Sequence, residues 1–516
     1  MTTATPATTP APEPEGNAPE SSVPETYAAI DLGSNSFHMI VCRYANDELI
    51  VEDRLREMVR LGAGLDSKRQ LTAETQQRAL ACLERFGQRL RGIPAENIRI
   101  VGTNTLRSAK KSRLFLANAE QALGHPIEVI SGVEEARLIY LGVAHGIGSD
   151  EQRRLVMDIG GGSTELIIGE GFIPKYMQSL YIGCVSMTQR FFADGSITSK
   201  ALKRAEIAAR MELAPVQARY RKLGWEKAIG ASGSIRAIRD VVRENNWSEE
   251  GITLDSLKRL REAMLEAGHI DKLQLKGLNP ERAAVLPGGA QVLLATFKAL
   301  GIERMHVSDS ALREGLIHDL LGRTHQQDVR NSAVNSLARR YHVDAVQAEQ
   351  VTNTACTCAR QVAKAWTLDV EESCQWLGWA AQLHEIGLDI AHSQYHKHGA
   401  YIVEFSDLSG FSRQEQLVLA TLIYNHRRKF TRSHFKRLAD YRVRNTRYWC
   451  ILLRLAVLLH RSRSTEPLPE FTLTADKKSL SIQFPPDWLE SHQLTRTDLE
   501  QETDYLAAAD FTLTYS

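Results

Sequence analysis

Two glycine-containing segments decide the fold: Asp31-Leu-Gly-Ser-Asn-Ser-Phe-His-Met-Ile-Val41 and, 127 residues later, Asp158-Ile-Gly-Gly-Gly-Ser-Thr-Glu-Leu-Ile-Ile168. Asp, Gly, Ser and Ile occur at the same spacing in both segments. Each segment has the pattern of an apolar strand, an Asp, a polar turn and a second apolar strand. This duplication predicts two similar domains that face a common cleft.

The regions around the two segments differ in their hydrophobic periodicity. Up to about residue 324, apolar runs alternate with helical patterns, which is typical of α/β domains; we expect a helix at 72–91 and strands at 27–30, 37–43, 98–101, 127–130, 155–157 and 166–168. Helical periodicity follows at 332–366, 371–391, 413–424 and 446–463, and three strand patterns follow at 471–474, 479–484 and 511–515. The predicted fold is α/β, with duplicated domains at 26–138 and 139–324, an all-α domain at 325–469 and a small α+β module at 470–516.

Composition excludes several classes of protein. The first 25 residues contain six of the sixteen prolines and no Lys or Arg, so we expect them to form a disordered tail. The best apolar run, 451–459, contains Arg454 and is far shorter than the roughly 20 residues that cross a bilayer. Seven scattered cysteines without a CxxC pair are typical of reduced thiols. We therefore expect a cytoplasmic protein without a transmembrane segment.

The charge is unevenly distributed along the chain. The whole chain has 63 basic and 62 acidic residues, a balance that by itself argues against a polyanionic partner. Residues 26–463, however, contain 60 basic and 48 acidic residues, and the segment 426–447 has nine Lys or Arg and one acid. This basic segment is either a solvated face or a surface that binds a polyanion. Its aromatic residues Phe430, Phe435 and Tyr441 also admit binding of single-stranded nucleic acid.

The two turns have the chemistry of a phosphate site. Successive glycines let backbone N–H groups converge on an anion, and neighbouring hydroxyl and amide groups add donors. A glycine-rich hairpin of purely structural importance is the alternative for either turn alone. The predicted phosphate-binding residues of the turns are Ser34, Asn35, Ser36, Gly160, Gly161, Gly162, Ser163 and Thr164.

Carboxylates flank both turns. Asp158 ends the strand before the second turn, Glu165 begins the strand after it, and Asp31 occupies the matching position in the first segment. Mg²⁺ prefers one or two carboxylates together with water and phosphate oxygens. We therefore expect Mg²⁺ at these three residues.

The two turns resemble those of the exopolyphosphatase and guanosine pentaphosphate phosphatase family, within the superfamily of actin, sugar kinases and heat-shock ATPases. Further similar stretches are GTNTLR at 102–107, SGVEEAR at 131–137, GASG at 230–233, LPGG at 286–289 and SDSALREG at 308–315. Details at 37–39, 182–185 and 396–401 are most similar to the exopolyphosphatase branch. The resemblance implies two actin-like (ribonuclease H-like) domains around a cleft, followed by an HD-like helical domain.

The resemblance also implies an activity. It is the processive, Mg²⁺-dependent hydrolysis of terminal phosphate from inorganic polyphosphate, with release of orthophosphate. By the same resemblance Glu135 is the catalytic base that activates water, and Arg107 pairs with the phosphoryl oxygens as a rigid fork. Gly233 is expected to contact phosphate in the turn where kinases of the superfamily hold a nucleoside. The resemblance also implies a homodimer, and peripheral association with the inner face of the cell membrane is compatible with it.

The family context favours one interpretation of the basic segment. Beside a phosphatase cleft it is expected to act as a track for long polyphosphate, with no specific binding of nucleic acid. The track residues are Arg427, Arg428, Lys429, Arg432, Lys436 and Arg437.

Several alternatives stay open from the sequence. A guanosine pentaphosphate 5′-phosphohydrolase makes the same cut on a nucleotide, and an ATP-binding regulator or sugar-kinase-like protein would bind a nucleotide at 230–233. A second hydrolytic centre of the HD type is suggested by the histidines between 384 and 426. Glu385, however, stands where HD enzymes have a metal-ligating Asp. His392 and His396 would share one face if both lay on a helix.

Overall fold

The computed structural model describes residues 25–45, 48–66, 68–147, 152–324, 328–464 and 466–516. The tail expected at residues 1–25 lies outside this range, except for Glu25. The expected fold class is confirmed: duplicated α/β domains precede a helical domain and a small α+β module.

The first domain is built on a five-stranded sheet. Its strands are β1 Glu25–Leu32, β2 Phe37–Ala45, β3 Glu48–Glu57, β4 Ile98–Gly102 and β5 Glu128–Val129, and its helices are α1 Ala73–Arg89, α2 Asn104–Ser108 and α3 Arg113–Leu123. The strand order is β3-β2-β1-β4-β5. β1 is antiparallel to β2 and parallel to β4, and Asp31 pairs with His38 across the first hairpin.

The second domain repeats this arrangement. Its strands are β6 Arg153–Ile159, β7 Thr164–Glu170, β8 Ile173–Leu180, β9 Lys227–Gly230, β10 Ile252–Thr253 and β11 Arg304–Val307. The order is β10-β11-β9-β6-β7-β8, so an antiparallel hairpin again adjoins parallel strands. The register pairs Asp158 with Glu165 across this hairpin, as expected. The helices are α4 Gly132–Ile147, α5 Cys184–Phe191, α6 Ser199–Leu223, α7 Gly233–Glu244, α8 Leu254–Ala267, α9 Pro280–Ala283, α10 Leu286–Leu300 and α11 Leu312–Thr324.

Helices α4 and α11 join the two sheets. Their apolar side chains share one buried cluster with residues of β1, β2, β6, β7 and β9. The helices touch through glycines, since an added Cβ at Gly142 would lie 2.0 Å from the Ala311 carbonyl oxygen and one at Gly315 1.8 Å from that of Leu138. The boundary expected at residue 138 lies within α4. This contact fixes α4, which begins beside the cleft.

The third domain is helical. Its helices are α12 Val329–Arg340, α13 Ala345–Trp366, α14 Val370–Leu383, α15 Tyr395–Phe405, α16 Arg413–Asn425 and α17 Asp440–Leu459. The continuous helix expected at 332–366 is interrupted, because His342 has a φ of 48° and Asp344 caps the N-terminus of α13. His392 precedes α15, so the idea that it shares a helix face with His396 is wrong.

The last module packs on the helical domain. It contains β12 Thr472–Asp476, β13 Ser479–Gln483 and β14 Thr512–Tyr515, which match the three expected strands, and the helices α18 Trp488–Ser491 and α19 Gln493–Ala507. Apolar residues of its sheet and of α19 belong to the same buried cluster as α13, α14, α16 and α17. The buried guanidinium of Arg454 pairs with the Glu502 carboxylate, with 2.8 Å between Nη2 and Oε2. Residues 470–516 therefore share the core of the helical domain.

Candidate active site

The two glycine-containing turns lie against each other in the cleft. An added Cβ at Gly161 would lie 2.8 Å from the Ser34 Cβ, and one at Gly162 would lie 2.5 Å from Asn104 Oδ1. A side chain at Gly161 would push the two turns apart, and one at Gly162 would meet the start of α2. The turns line a cavity of about 120 Å³. The predicted phosphate-binding residues that line it are Ser34, Asn35, Ser36, Gly160, Gly161, Ser163 and Gly233.

Two predicted phosphate ligands lie outside this lining. Thr164 is fully buried, and its hydroxyl donates to the Ile182 carbonyl at 2.6 Å, which is a structural bond. Gly162 packs on Asn104, the first residue of α2. The Thr164 hydroxyl therefore has no free proton to donate to phosphate in this structure, as its predicted role would require.

Helix α5 orients the second turn. The N–H groups of Cys184 and Val185 donate to the carbonyls of Gly160 and Gly161, each at 2.9 Å. These are N–H groups of the first turn of a helix, which have no partner within the helix. They hold the carbonyls of the turn towards α5.

Four carboxylates gather at the turns: Glu135 and Glu165 are buried, and Asp31 and Asp158 are half-buried. Burial and the neighbouring Glu135 raise the pKa of Asp31 to about 8 and that of Asp158 to about 7. Burial and the charges of Glu135 and Asp158 also raise the pKa of Glu165 well above its usual value. These shifts indicate an excess of negative charge that a cation would relieve.

The carboxylates fit a magnesium ion. Asp31 Oδ1 and Glu165 Oε2 are buried and have no hydrogen-bond partner, which leaves two anionic oxygens for a cation. Within the described residues, no three His, Cys, Asp or Glu side chains are arranged as a complete metal site. Mg²⁺ does not require such a set, because it binds through one or two carboxylates and completes its shell with water and phosphate oxygens. The ligands predicted from the sequence are therefore chemically suitable for Mg²⁺.

The predicted base lies at the start of α4. Glu135 is 7% exposed and lines the cavity. Arg107 Nη1 donates to Glu135 Oε2 at 3.2 Å and to the Ile130 carbonyl at 2.8 Å. Burial raises the pKa of Glu135, and the attraction of Arg107 only partly opposes this. A carboxylate with a raised pKa is a stronger base, which suits the removal of a proton from water.

Arg107 has a different contact from the one expected. The sequence predicted that its guanidinium pairs with phosphoryl oxygens, but here it contacts Glu135 and a backbone carbonyl. The contact places a cation next to the base at the edge of the cleft. Pairing of Arg107 with phosphate stays a prediction.

Three arginines that sequence reasoning missed as a group line the cavity: Arg236 on α7, Arg282 on α9 and Arg313 on α11. Burial and the charge of Arg313 lower the pKa of Arg236, while burial and the charges of Arg56 and Arg236 lower that of Arg282. Cations that repel each other in a cleft attract a polyanion. Arg313 belongs to the quoted stretch 308–315, whereas only the fold brings Arg282 to the cleft.

His38 joins the first turn to this arginine group. Its Nδ1 lies 3.4 Å from Arg313 Nη1 and its Nε2 lies 2.7 Å from Ser36 Oγ. A guanidinium only donates, so Nδ1 accepts and the proton of the neutral ring is on Nε2. Burial and the charge of Arg313 lower the pKa of His38 well below its usual value, which keeps the ring neutral.

The basic segment 426–447 is less cationic than its sequence suggests. Ion pairs with acids from other segments engage three of its arginines, Arg432 with Asp510, Arg437 with Glu404 and Arg442 with Glu372. Among the track residues, Arg428, Lys429 and Lys436 are exposed, and the described part of the chain offers them no ion pair. Arg427 lies over the ring of Tyr395, with its Cζ 4.6 Å from the ring centroid.

The aromatic residues of the basic segment do not form a surface for stacking bases. Phe430 and Phe435 are buried and stack on each other with ring centroids 5.3 Å apart. Only Tyr441 is exposed among the three aromatic residues that the sequence singled out. Their burial weighs against the nucleic-acid alternative.

The histidines of the helical domain lack the ligand set of an HD-type metal centre. His384 and His426 are buried, with ring centroids 5.3 Å apart, and each Nδ1 bonds a carbonyl of its own helix. Glu385 forms a bidentate ion pair with Arg463, at 2.7 and 2.8 Å. An HD hydrolase needs several protein ligands for its metal. Among the described residues of this domain, no three His, Cys, Asp or Glu side chains are arranged to hold one.

Among the described residues, no helix combines the length and the apolar content that crossing a membrane requires.

Comparison with known proteins identifies two matching family descriptions. Residues 40–324 match the Ppx/GppA phosphatase family, and residues 329–503 match domain III of Ppx/GppA phosphatases. Together these matches include the second turn, Glu135 and most of the helical domain, whereas the first turn precedes residue 40.

Similar proteins are found over nearly the whole chain. A guanosine-5′-triphosphate,3′-diphosphate pyrophosphatase of Aeromonas hydrophila is 41% identical over 93% of this chain and 96% of its own length. A protein of the same name from Vibrio vulnificus is 40% identical over 95% of this chain and 96% of its own. The crystal structure of an exopolyphosphatase from Cytophaga hutchinsonii aligns with a TM-score of 0.53 and 24% identity, covering 58% of this chain and 98% of that one. This last likeness is one of fold.

Proposed function

The chain belongs to the Ppx/GppA phosphatase family, and we propose that it hydrolyses the terminal phosphoanhydride bond of inorganic polyphosphate and releases orthophosphate. It is an enzyme of a family that cleaves phosphoanhydride bonds. The observation that carries the choice of substrate is the lining of the cleft. It offers hydroxyl groups, glycine backbone and three arginines, and among the described residues that line it there is no Phe, Tyr or Trp. Such a lining suits phosphate, and its one aromatic ring, the imidazole of His38, already contacts Ser36 and Arg313.

The mechanism follows from the positions of the side chains. Glu135 orients a water molecule and accepts its proton as the water attacks the terminal phosphorus. The hydroxyls of Ser34 and Ser163 and the backbone of the glycine turn hold the terminal phosphoryl group in line with the attack. Arg236, Arg282 and Arg313 hold the phosphates behind it, which balances the charge of the leaving chain.

The three carboxylates at the turns are suited to hold a metal ion. We propose that Asp158 and Glu165, with Asp31 beside them, bind Mg²⁺. When bound, the ion supplies neutralisation of the charge on the phosphate oxygens. The mutual repulsion of these acids and the two unpartnered oxygens support this assignment.

The exposed part of the basic segment is proposed as the track for a long chain. Arg428, Lys429 and Lys436 are exposed, and Arg427 adjoins them. Contacts of this kind weaken as salt rises, because phosphate binding releases counterions. The track would hold the chain between successive cuts, and a homodimer would lengthen it.

A second candidate substrate is guanosine pentaphosphate. The names of the Aeromonas and Vibrio relatives favour it, at 41% and 40% identity. The chemistry would be the same, with the terminal phosphoryl group in the cavity and the nucleoside outside it.

Measurement of substrate preference tests the proposal. The purified full chain is incubated with Mg²⁺ and either long-chain polyphosphate or guanosine pentaphosphate, and kcat/KM is measured for each by phosphate release. Our proposal predicts the higher kcat/KM with polyphosphate, and chains that shorten from the end. A higher kcat/KM with guanosine pentaphosphate would establish the second candidate instead.

A further inference from the structure

A buried ion network links the helical domain to the residue next to the catalytic base. Glu134 immediately precedes Glu135 in the first turn of α4 and is 1% exposed. Arg137 makes two bonds of 2.8 Å to its carboxylate, from Nε and from Nη2. Arg99 Nη2 lies 3.8 Å from Glu134 Oε1. This carboxylate is therefore held on one side by two arginines of the catalytic domains.

The other side of Glu134 holds the helical domain. The Gly410 N–H, which lies in the loop before α16, donates to Glu134 Oε2 at 2.8 Å. The carbonyl of the same glycine accepts a bond of 2.7 Å from Arg323 Nη2 at the end of α11. Both polar groups of Gly410 are thus bonded to the catalytic domains. We call Glu134, Arg323 and Gly410 the clamp.

The clamp is anchored firmly at both ends. Asp319 on α11 forms ion pairs with Arg99, Arg137 and Arg323, with 3.0 Å between its Oδ2 and Arg323 Nε. On the helical side, Leu408 and Phe411, which lie within two residues of Gly410, are buried in the core of the helical domain. Movement of the helical domain would therefore pull on Glu134 directly.

Near the clamp, the catalytic and helical parts are separated by open space. A cavity of about 1350 Å³ lies between the catalytic and helical parts and is lined by Arg137, Asp319 and Leu408, among other residues. The packing of α4 on α11 holds the helix at Leu138 and Gly142, and the clamp acts on the turn before these residues. A second polar link, from Arg113 to the Lys436 carbonyl at 3.0 Å, lies on α3 and does not involve α4.

From this geometry we propose that Glu134 and Arg323 are positioning residues, which use Gly410 of the helical domain to set the position of Glu135. The proposal rests on the proposed role of Glu135 as the base. The helical domain then does more than extend the binding track, because its place in the assembly determines how well the base is aligned with the attacking water. A small misplacement of the reacting groups lowers turnover strongly.

The test compares Arg323→Gln with Arg113→Gln in the full chain. Each substitution removes one arginine link between the same two parts, but only the first belongs to the clamp. We expect Arg323→Gln to lower kcat about tenfold with KM within twofold of wild type, and Arg113→Gln to leave both unchanged. An unchanged kcat for Arg323→Gln, an equal loss for Arg113→Gln, or a loss confined to KM would overturn the proposal.

A double variant separates positioning from general damage. If Arg323 acts through Glu135, adding Arg323→Gln to Glu135→Gln lowers kcat no further. A structural role would instead lower it by the same factor in both backgrounds. Circular dichroism shows whether Arg323→Gln is folded. If it is not, Arg323→Lys replaces it. We expect an intermediate loss of kcat for Arg323→Lys, and an unchanged kcat would contradict the proposal.

These assays use whichever phosphoanhydride substrate the wild-type enzyme hydrolyses. Poor hydrolysis of polyphosphate by wild type would refute the proposed substrate and leave the clamp testable on guanosine pentaphosphate. An active wild type with an unaffected Arg323→Gln variant would refute the clamp alone.

Discussion

Replacement of Glu135 by Gln removes the proposed base and changes little else in the cleft. The amide has nearly the volume of the carboxylate, and its oxygen still accepts the bond from Arg107 Nη1, now at 3.2 Å. General base catalysis contributes about 10² to 10⁴ in rate, which corresponds to about 3 to 5 kcal/mol of activation free energy. Because burial raises the pKa of Glu135, we expect a loss of at least about 10² in kcat.

The same variant has a second, electrostatic effect. The charge of Glu135 contributes to the raised pKa of Asp31, Asp158 and Glu165. Removal of that charge lowers the pKa of these three acids and lessens the repulsion of a polyanion, so at saturating Mg²⁺ the variant should bind polyphosphate at least as tightly as wild type. The expected signature is a low kcat with undiminished binding.

The assay measures phosphate release from long-chain polyphosphate at saturating Mg²⁺, and chain binding by filter retention. Glu84→Gln, on the exposed face of α1, is the matched control and should behave as wild type. A kcat for Glu135→Gln within threefold of wild type, with binding retained, would refute Glu135 as the base. Loss of binding would show instead that Glu135 holds the substrate.

Three further outcomes follow from the charges of the structure. Asp158→Asn should lower activity and raise the Mg²⁺ concentration required for half-maximal rate. In wild type, added Mg²⁺ should shift the acid limb of the pH profile to lower pH. Protons compete with the cation there, because the pKa values of Asp31 and Asp158 are raised to about 8 and about 7. A limb that does not respond to Mg²⁺ would count against these ligands. Lys429→Ala should weaken binding of long chains and reduce its salt dependence more than Arg437→Ala, since Arg437 is already paired with Glu404; equal effects in titrations at several salt concentrations would exclude the track. The Arg330 guanidinium outweighs the effect of burial and holds the pKa of Glu415 at about 2, so this carboxylate stabilises the fold above its usual value of 4.5 and the benefit is lost as pH falls towards 2. The wild type should therefore be more stable than Glu415→Gln above about pH 4.5, and this difference in the free energy of unfolding should shrink as pH falls towards 2. Denaturant unfolding followed by circular dichroism at several pH values measures it, and a difference that does not change with pH would contradict the assignment.

The sequence predicted those elements whose pattern is local. The two hairpins, helix α1 and the three strands of the last module match their apolar patterns because each buries one face. The edge strands β3 and β8 were missed: β3 has the charged sequence ELIVEDRLRE and β8 contains Pro174, since an edge strand is half exposed and tolerates both.

In the candidate site, too, the residues in local motifs were predicted and those that only the fold brings together were not. Asp31, Asp158 and Glu165 were predicted because they flank the two turns, and Glu135 because its motif resembles that of the family. Asp31, Asp158 and Glu135 line one cavity in the structure. Arg282 lies more than 100 residues from either turn, so only the packing of α9 against Gly233 reveals it. The charge of the basic segment was overestimated because Glu404 and Asp510, which pair with its arginines, are distant in sequence.

Hydrolysis in water enriched in ¹⁸O tests the central claim most directly. Wild-type enzyme is given Mg²⁺ and long-chain polyphosphate, and both the released orthophosphate and the shortened chain are analysed by mass spectrometry. Attack of water on the terminal phosphorus predicts one ¹⁸O atom in each orthophosphate and none in the chain. Heavy oxygen in the chain, or orthophosphate without it, would contradict a water-activating base acting on the terminal phosphoryl group.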